Sequence, residues 1–186
     1  FDVTRHQWSL LANGDLGWVQ VTNFLLTGLM LVACAVGLRR ALASGPGSTW
    51  APRLVAAYGL SLVAAGVFRA DPALGFPVGA PDTPAEVSWH GMLHFAAGAV
   101  GFTCVAVACF VTARRYAAEG RRGYGRFSRV TGIAFLAGFA MVASGGGSSV
   151  ATLGFTATVI LVWAWLSAVA RDRYRTIGTT PETVRP

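Results

Sequence analysis

Five stretches of this chain run without a charged residue for long enough to cross a bilayer, or nearly so: residues 16–38, 54–68, 87–113, 130–143 and 150–170. A spanning helix needs about 20 apolar residues, with a range of roughly 17 to 25. The first, third and fifth stretches meet that length unaided. The second and fourth are short, and become adequate when residues 50–53 and 127–129 sit in the interface with their arginine heads reaching water. Only 12% of the 186 residues are charged, about half the share of an ordinary soluble domain. Soluble enzyme folds are thereby excluded, and the chain is too short for a large transporter built from inverted repeats. The expected fold is all-α, a polytopic membrane helical bundle with five transmembrane helices. Residues 1–175 form its single domain, and 176–186 a disordered cytoplasmic tail.

The charges set the expected orientation. All fifteen basic residues are arginine. Five alternating spans put thirteen of them on one side against Glu119, Asp172 and Glu182, a net +10. The other side holds Arg5 and Arg69 against Asp2, Asp15, Asp71, Asp82 and Glu86, a net −3. Short arginine-rich loops mark the cytoplasmic face. The amino-terminal segment is therefore expected outside and the carboxyl terminus inside, in a bacterial inner membrane. The same distribution turns the overall +7 away from nucleic acid and toward the bilayer as partner. A run such as 114–129 also suits anionic lipid. Oligomeric state is not legible.

Glycine and proline mark the turns. Residues 43–48 and 120–125 read as hairpins on the basic side, and Gly145, Gly146 and Gly147 as a tight turn on the other. Thr83, Pro84 and Glu86 form a capping-box pattern that predicts the start of the third helix near Pro84. Small residues at close-approach spacing, Gly98 with Gly101, Ser61 with Ala65 and Ala134 with Gly138, predict helix contacts. Cys34, Cys104 and Cys109 lie within spans, where they read as small hydrophobes and not as a disulfide framework or a zinc motif.

The chemistry-bearing residues gather at the acidic end. His6, His90 and His94, the only histidines, all fall there, with Asp15 and Asp71. His90 and His94 are four apart on one helix, the spacing at which two imidazoles share a face. Arg69 is the expected ion-pair partner of Asp71, and Gln20 and Asn23 face into the membrane from the first helix. Three readings fit this set. In the first, His94, Asn23, Gln20 and Asp71 satisfy one another as an interhelical network. In the second, His90, His94, His6 and Asp71 hold a divalent metal such as zinc, or work as an acid/base site. In the third, His6 and one of the pair are the opposite ligands of a haem or another redox cofactor. Contact among the members is expected in each case, because an unpaired polar group in apolar surroundings costs several kcal/mol. His94 should find its partner on the first or second helix.

The strings RHQWSLLANGDLGW from Arg5 to Trp18, FRADP from Phe68 to Pro72 and WHGMLHF from Trp89 to Phe95 resemble the uncharacterised bacterial membrane-protein family catalogued as domain of unknown function 998. The resemblance covers nearly the whole chain and implies a small helical membrane protein, but no activity. It also implies a further hydrophobic helix ahead of Arg5, making six spans in the native gene product. The histidine and aspartate set looks like the zinc site of the ceramidase and adiponectin-receptor type of membrane hydrolase, although helix count and motif order differ. Two functions follow as expectations. One is a small membrane protein that binds a lipid, another hydrophobic ligand or a partner at an outward-facing polar pocket. The other is a metal-dependent enzyme acting on a lipid-like substrate at the outer leaflet.

Overall fold

A computed structural model of the protein describes residues 1–83, 86–144 and 148–178. Five helices follow one another up and down: α1 Gly17–Ala41, α2 Trp50–Val67, α3 Trp89–Ala118, α4 Arg122–Ala143 and α5 Ser149–Gly178. All five are long and apolar enough to cross a membrane. A short 3-10 helix, Trp8–Asn13, lies ahead of α1. Among the described residues there is no strand, and a bundle whose backbone bonds close within each helix is what a bilayer permits.

The two short apolar runs gained their length where the interfacial residues allowed it. α2 begins at Trp50, whose ring lies 5.7 Å from the Arg53 guanidinium. α4 begins at Arg122, so the hairpin expected over 120–125 shrinks to the residues around Gly120, which turns with a φ of +72°. The start of α3 also differs from expectation. Thr83 and Glu86 lie in bends ahead of the helix, Pro84 lies outside the described residues, and the first helical residue is Trp89. α5 runs through Thr176 to Gly178, where the tail was expected to begin. Residues 179–186 and the Gly145–Gly147 turn lie outside the described residues.

Small residues decide how closely the helices approach. A Cβ on Gly28 would stand 2.5 Å from the Gly59 carbonyl, and one on Gly59 would stand 2.7 Å from that of Gly28. α1 and α2 therefore cross backbone to backbone, a contact absent from the expected pairs. Gly101 sits over Ser61, whose Oγ would be 1.8 Å from an added Cβ, and Gly138 meets Thr158 in the same way. Gly98 meets only Phe102 of its own helix, so it does not make the contact expected of it. Between the helices lie Tyr58, Val105, Tyr116, Phe135, Val162 and Trp165, all buried. The Trp165 indole donates to Ser128 Oγ at 2.9 Å.

The outer surface is apolar. Leu26, Leu29, Met30, Leu60, Ile133 and Ile160 are exposed, as lipid-facing positions are. Trp18 and Trp89 are exposed where α1 and α3 begin, and Trp50 where α2 begins at the opposite end. Tryptophans at both ends suit the two membrane–water interfaces. The chain is a multi-pass membrane protein with a histidine end, formed by residues 1–16 and the 68–88 connection, and an arginine end.

Candidate functional site

At the histidine end the amino-terminal segment folds onto the 68–88 connection. The Asp2 carbonyl accepts from the His6 amide at 2.8 Å, and the Asp2 amide donates to His6 Nδ1 at 2.9 Å. His6 Nε2 donates to the Leu74 carbonyl at 2.9 Å. Both ring nitrogens are thus committed, and a proton on Nε2 is the tautomer these bonds require. The buried imidazole packs among Phe1 and Phe76, with centroids 5.2 and 5.5 Å away. Asn13 Nδ2 donates to the Ala70 carbonyl at 2.9 Å. Arg5 pairs with Asp82 at 2.8 Å, in the open. Thr4 donates its hydroxyl and its amide to the Asp2 carboxylate, which holds that carboxyl below its ordinary range.

Asp71 and Ser88 begin α3. Asp71 accepts from the Ser88 amide at 2.9 Å and from Ser88 Oγ at 2.5 Å. Ser88 Oγ in turn accepts from the Gly91 amide at 3.0 Å, as an N-cap residue does. A Cβ on Gly91 would lie 2.1 Å from Asp71 Oδ2, so only glycine admits the carboxylate here. Arg69 is exposed and forms no ion pair among the described residues. The expected Arg69–Asp71 pair is therefore replaced by the Asp71–Ser88 cap, in which the Ser88 amide and hydroxyl each take one carboxylate oxygen.

His94, one turn into α3, is buried and does find its partner on the second helix. Its Nδ1 donates to the Phe68 carbonyl at 2.8 Å, with the Ala65 carbonyl at 3.2 Å. Carbonyls in the last turn of a helix have no intrahelical donor, so His94 caps α2. His90 shares the face but not the environment. It is exposed, its ring centroid lies 3.5 Å from that of Trp89 at a tilt of 32°, and it has no hydrogen bond among the described residues.

The four residues expected to bind metal are thus dispersed in role. His6 clamps the first segment, His94 caps α2, Asp71 caps α3 and His90 faces outward. No hydrogen bond joins any two of them, and among the described residues no three His, Cys, Asp or Glu side chains stand together as a metal-ligand group. The expected interhelical network differs in the same way. Asn23 accepts from Thr27 Oγ1 at 3.3 Å on its own helix, and His94 and Asp71 bond to separate groups.

A groove remains. Leu11, Gly14, Asp15, Leu16, Val19, Gln20 and Phe76 line an open cavity of about 370 Å³ beside the first turn of α1. Two members of the expected polar pocket, Asp15 and Gln20, are in its wall, whereas Arg69 and Asn23 are not. Asp15 is exposed and makes no hydrogen bond or ion pair among the described residues. At the arginine end the comparable space, between Leu38, Val55, Trp165 and Arg173, is about 10 Å³, room for about one water.

The arginine end carries a network that sorting charges by side did not reveal. Asp172 accepts from Arg121 Nη1 and Nη2 at 2.7 and 2.5 Å and from the Tyr116 hydroxyl at 2.9 Å. Glu119 accepts from both terminal nitrogens of Arg173 at 2.9 and 2.8 Å and from Arg115 Nε at 2.5 Å. Arg115 also donates to the Ser44 carbonyl. Desolvation pushes the Glu119 carboxyl up, but the hydrogen bonds from Arg173 and Arg115 outweigh it and hold it below its ordinary range. The bond to Asp172 raises the Arg121 guanidinium. Tyr116 stacks on Tyr124 at 4.9 Å, with Arg121 and Arg173 each 4.5 Å from one of the rings. The signal was present in Arg115 and Glu119 four apart, and in two acids placed among so many arginines.

A five-helix bundle with an apolar exterior, locked by ion pairs at one end and grooved at the other, defines a small multi-pass membrane protein. The family described as "Protein of unknown function (DUF998)" matches residues 1–172, and the chain belongs to it. No curated protein and no solved structure matches the chain.

Proposed function

We propose that this chain is a bacterial inner-membrane protein that holds a lipid or similar amphiphile at its outward, histidine end. The groove beside α1 carries the reading. Its volume lies within the usual range of ligand sites, about 300–1,000 Å³. Leu11, Leu16, Val19 and Phe76 supply an apolar wall for acyl chain, and Asp15 and Gln20 supply polar partners for a headgroup. A carboxylate with no internal partner suits a headgroup that bears an ammonium group. The His6 and Asn13 bonds tie the groove's loop side to the bundle, so the wall containing Phe76 is held in place. The thirteen arginines of the opposite end support the orientation, with that end in the cytoplasm.

Two measurements test the reading. Diacyl phosphatidylethanolamine carrying a spin label, titrated into the protein in neutral detergent, should show one saturable immobilised component. Val19→Trp, which fills the groove, should abolish it, and Asp15→Asn should weaken it. Labelling of cysteine introduced at Val78, in the 68–88 connection, should occur from outside, and at Gly123 only after permeabilisation. No saturable component, or the reverse labelling pattern, overturns the corresponding half of the proposal. Stoichiometric zinc in the purified protein would instead favour a metal-dependent enzyme.

A further inference from the structure

α4 carries one exposed stripe whose two halves have different chemistry. A helix turns 100° per residue, so Arg122, Arg126, Arg129, Ile133, Leu136 and Ala140 fall within one narrow face. Every one of the six is exposed. The opposite face of the same helix, Ser128, Thr131, Phe135 and Gly138, is buried in the bundle. The three guanidiniums span about 10 Å along the axis, and the apolar half follows directly below them.

The arginines of this stripe have no internal use. The two acids described at this end, Glu119 and Asp172, are taken by Arg115, Arg121 and Arg173. Among the described residues no carboxylate pairs with Arg122, Arg126 or Arg129. An orientation signal requires arginine at this end of the protein but not its alignment on a single face. The exposed isoleucine and leucine below them face lipid, as on any spanning helix, and what sets this face apart is that all three arginines stand directly in line with them. One ligand complements both halves: an anionic head on top of an acyl chain.

We propose that the α4 stripe is a binding site for an anionic phospholipid, the phosphate on Arg122, Arg126 and Arg129 and an acyl chain along Ile133, Leu136 and Ala140. The site is separate from the groove and independent of its occupant. Arginine favours such a contact because its planar fork donates two bonds to one phosphate.

Phosphatidylglycerol titrated into the whole protein in neutral detergent, with bound lipid counted by native mass spectrometry, should give a saturable adduct that phosphatidylcholine does not compete away. Each arginine near an anionic lipid changes affinity by about five-fold. Arg126→Gln with Arg129→Gln should therefore weaken binding on the order of 25-fold. Arg39→Gln with Arg40→Gln, the same charge removed from α1, should leave it unchanged. Ile133→Ser with Leu136→Ser should also weaken binding, at unaltered charge. Equal losses in the two arginine pairs would reduce the stripe to bulk charge and overturn the proposal. So would equal binding of phosphatidylcholine, or competition by glycerophosphate as strong as that by the lipid, which would mark an anion site with no lipid character. Thermal unfolding of each variant at the parent temperature shows that a loss belongs to the site and not to the fold.

Discussion

Removing the Asp172 carboxylate should loosen the arginine end as a unit. The side chain is 7% exposed and accepts three hydrogen bonds, two of them from one guanidinium. Hydrogen bonds to charged groups contribute about 1.5–3 kcal/mol each. Water recovers part of that here, because the Arg121 side chain is 35% exposed. Tyr116 keeps an acceptor in the Asp172→Asn variant, whereas Arg121 faces an amide nitrogen in place of one oxygen. The net cost is about 3 kcal/mol, at the low end of what breaking a buried pair costs. Arg121→Gln alone should cost about 2 kcal/mol, since Asp172 retains Tyr116 and has Arg173 Nε at 3.6 Å. If the pair acts as one interaction, the double variant loses about 2 kcal/mol less than the sum of the single losses. Reversible unfolding in mixed micelles measures all four proteins. Additivity within about 0.5 kcal/mol would refute the coupling. The exposed Arg5–Asp82 pair is the internal control, with an expected coupling below about 1 kcal/mol.

Three other outcomes follow from single contacts. Gly101→Ala puts a methyl group against Ser61 Oγ and should cost about 1–3 kcal/mol in the same unfolding assay, while Gly37→Ala, with nothing within 4 Å, should not destabilise. His94→Ala leaves the Phe68 and Ala65 carbonyls without their donor and should cost about 1–3 kcal/mol; unchanged stability would show that α2 ends without it. The Glu119 carboxyl is depressed in the native state, so its stabilisation is present above its ordinary value of 4.5 and is lost as pH falls through the lower native value. Acid titration of unfolding should therefore be less steep in Glu119→Gln than in the parent, and equal slopes would remove Glu119 from the acid response.

The fold was legible because lipid leaves few choices. Apolar run length and arginine placement both follow from the cost of bringing charge and unpaired backbone into hydrocarbon, and each marked the same five helices. Helix ends were less legible, because interfacial residues belong to either phase. Trp50 and Arg122 open helices, and Ser88 caps α3 in place of the Thr83 pattern, because Asp71 from the connection after α2 reaches Ser88 in space. Nothing local to residues 83–91 reveals that carboxylate. The Gly28–Gly59 crossing was missed for the same reason, since each is a lone glycine until the two helices are laid together.

The site was misread where shared chemistry was taken for shared contact. His6, His90, His94 and Asp71 do collect at one end, as their spacing required. Each of the three that are bonded has a backbone partner in a loop or at a helix end: the Leu74 carbonyl for His6, the Phe68 and Ala65 carbonyls for His94, and the Ser88 amide, with the Ser88 hydroxyl, for Asp71. The ends of helices leave the first amides and the last carbonyls without intrahelical partners. Polar residues at the end of a span are then drawn to helix termini first. A carboxylate left over after that demand is met is the more informative one, and by that criterion Asp15 in the groove wall, not the histidine pair, is where a ligand should be sought.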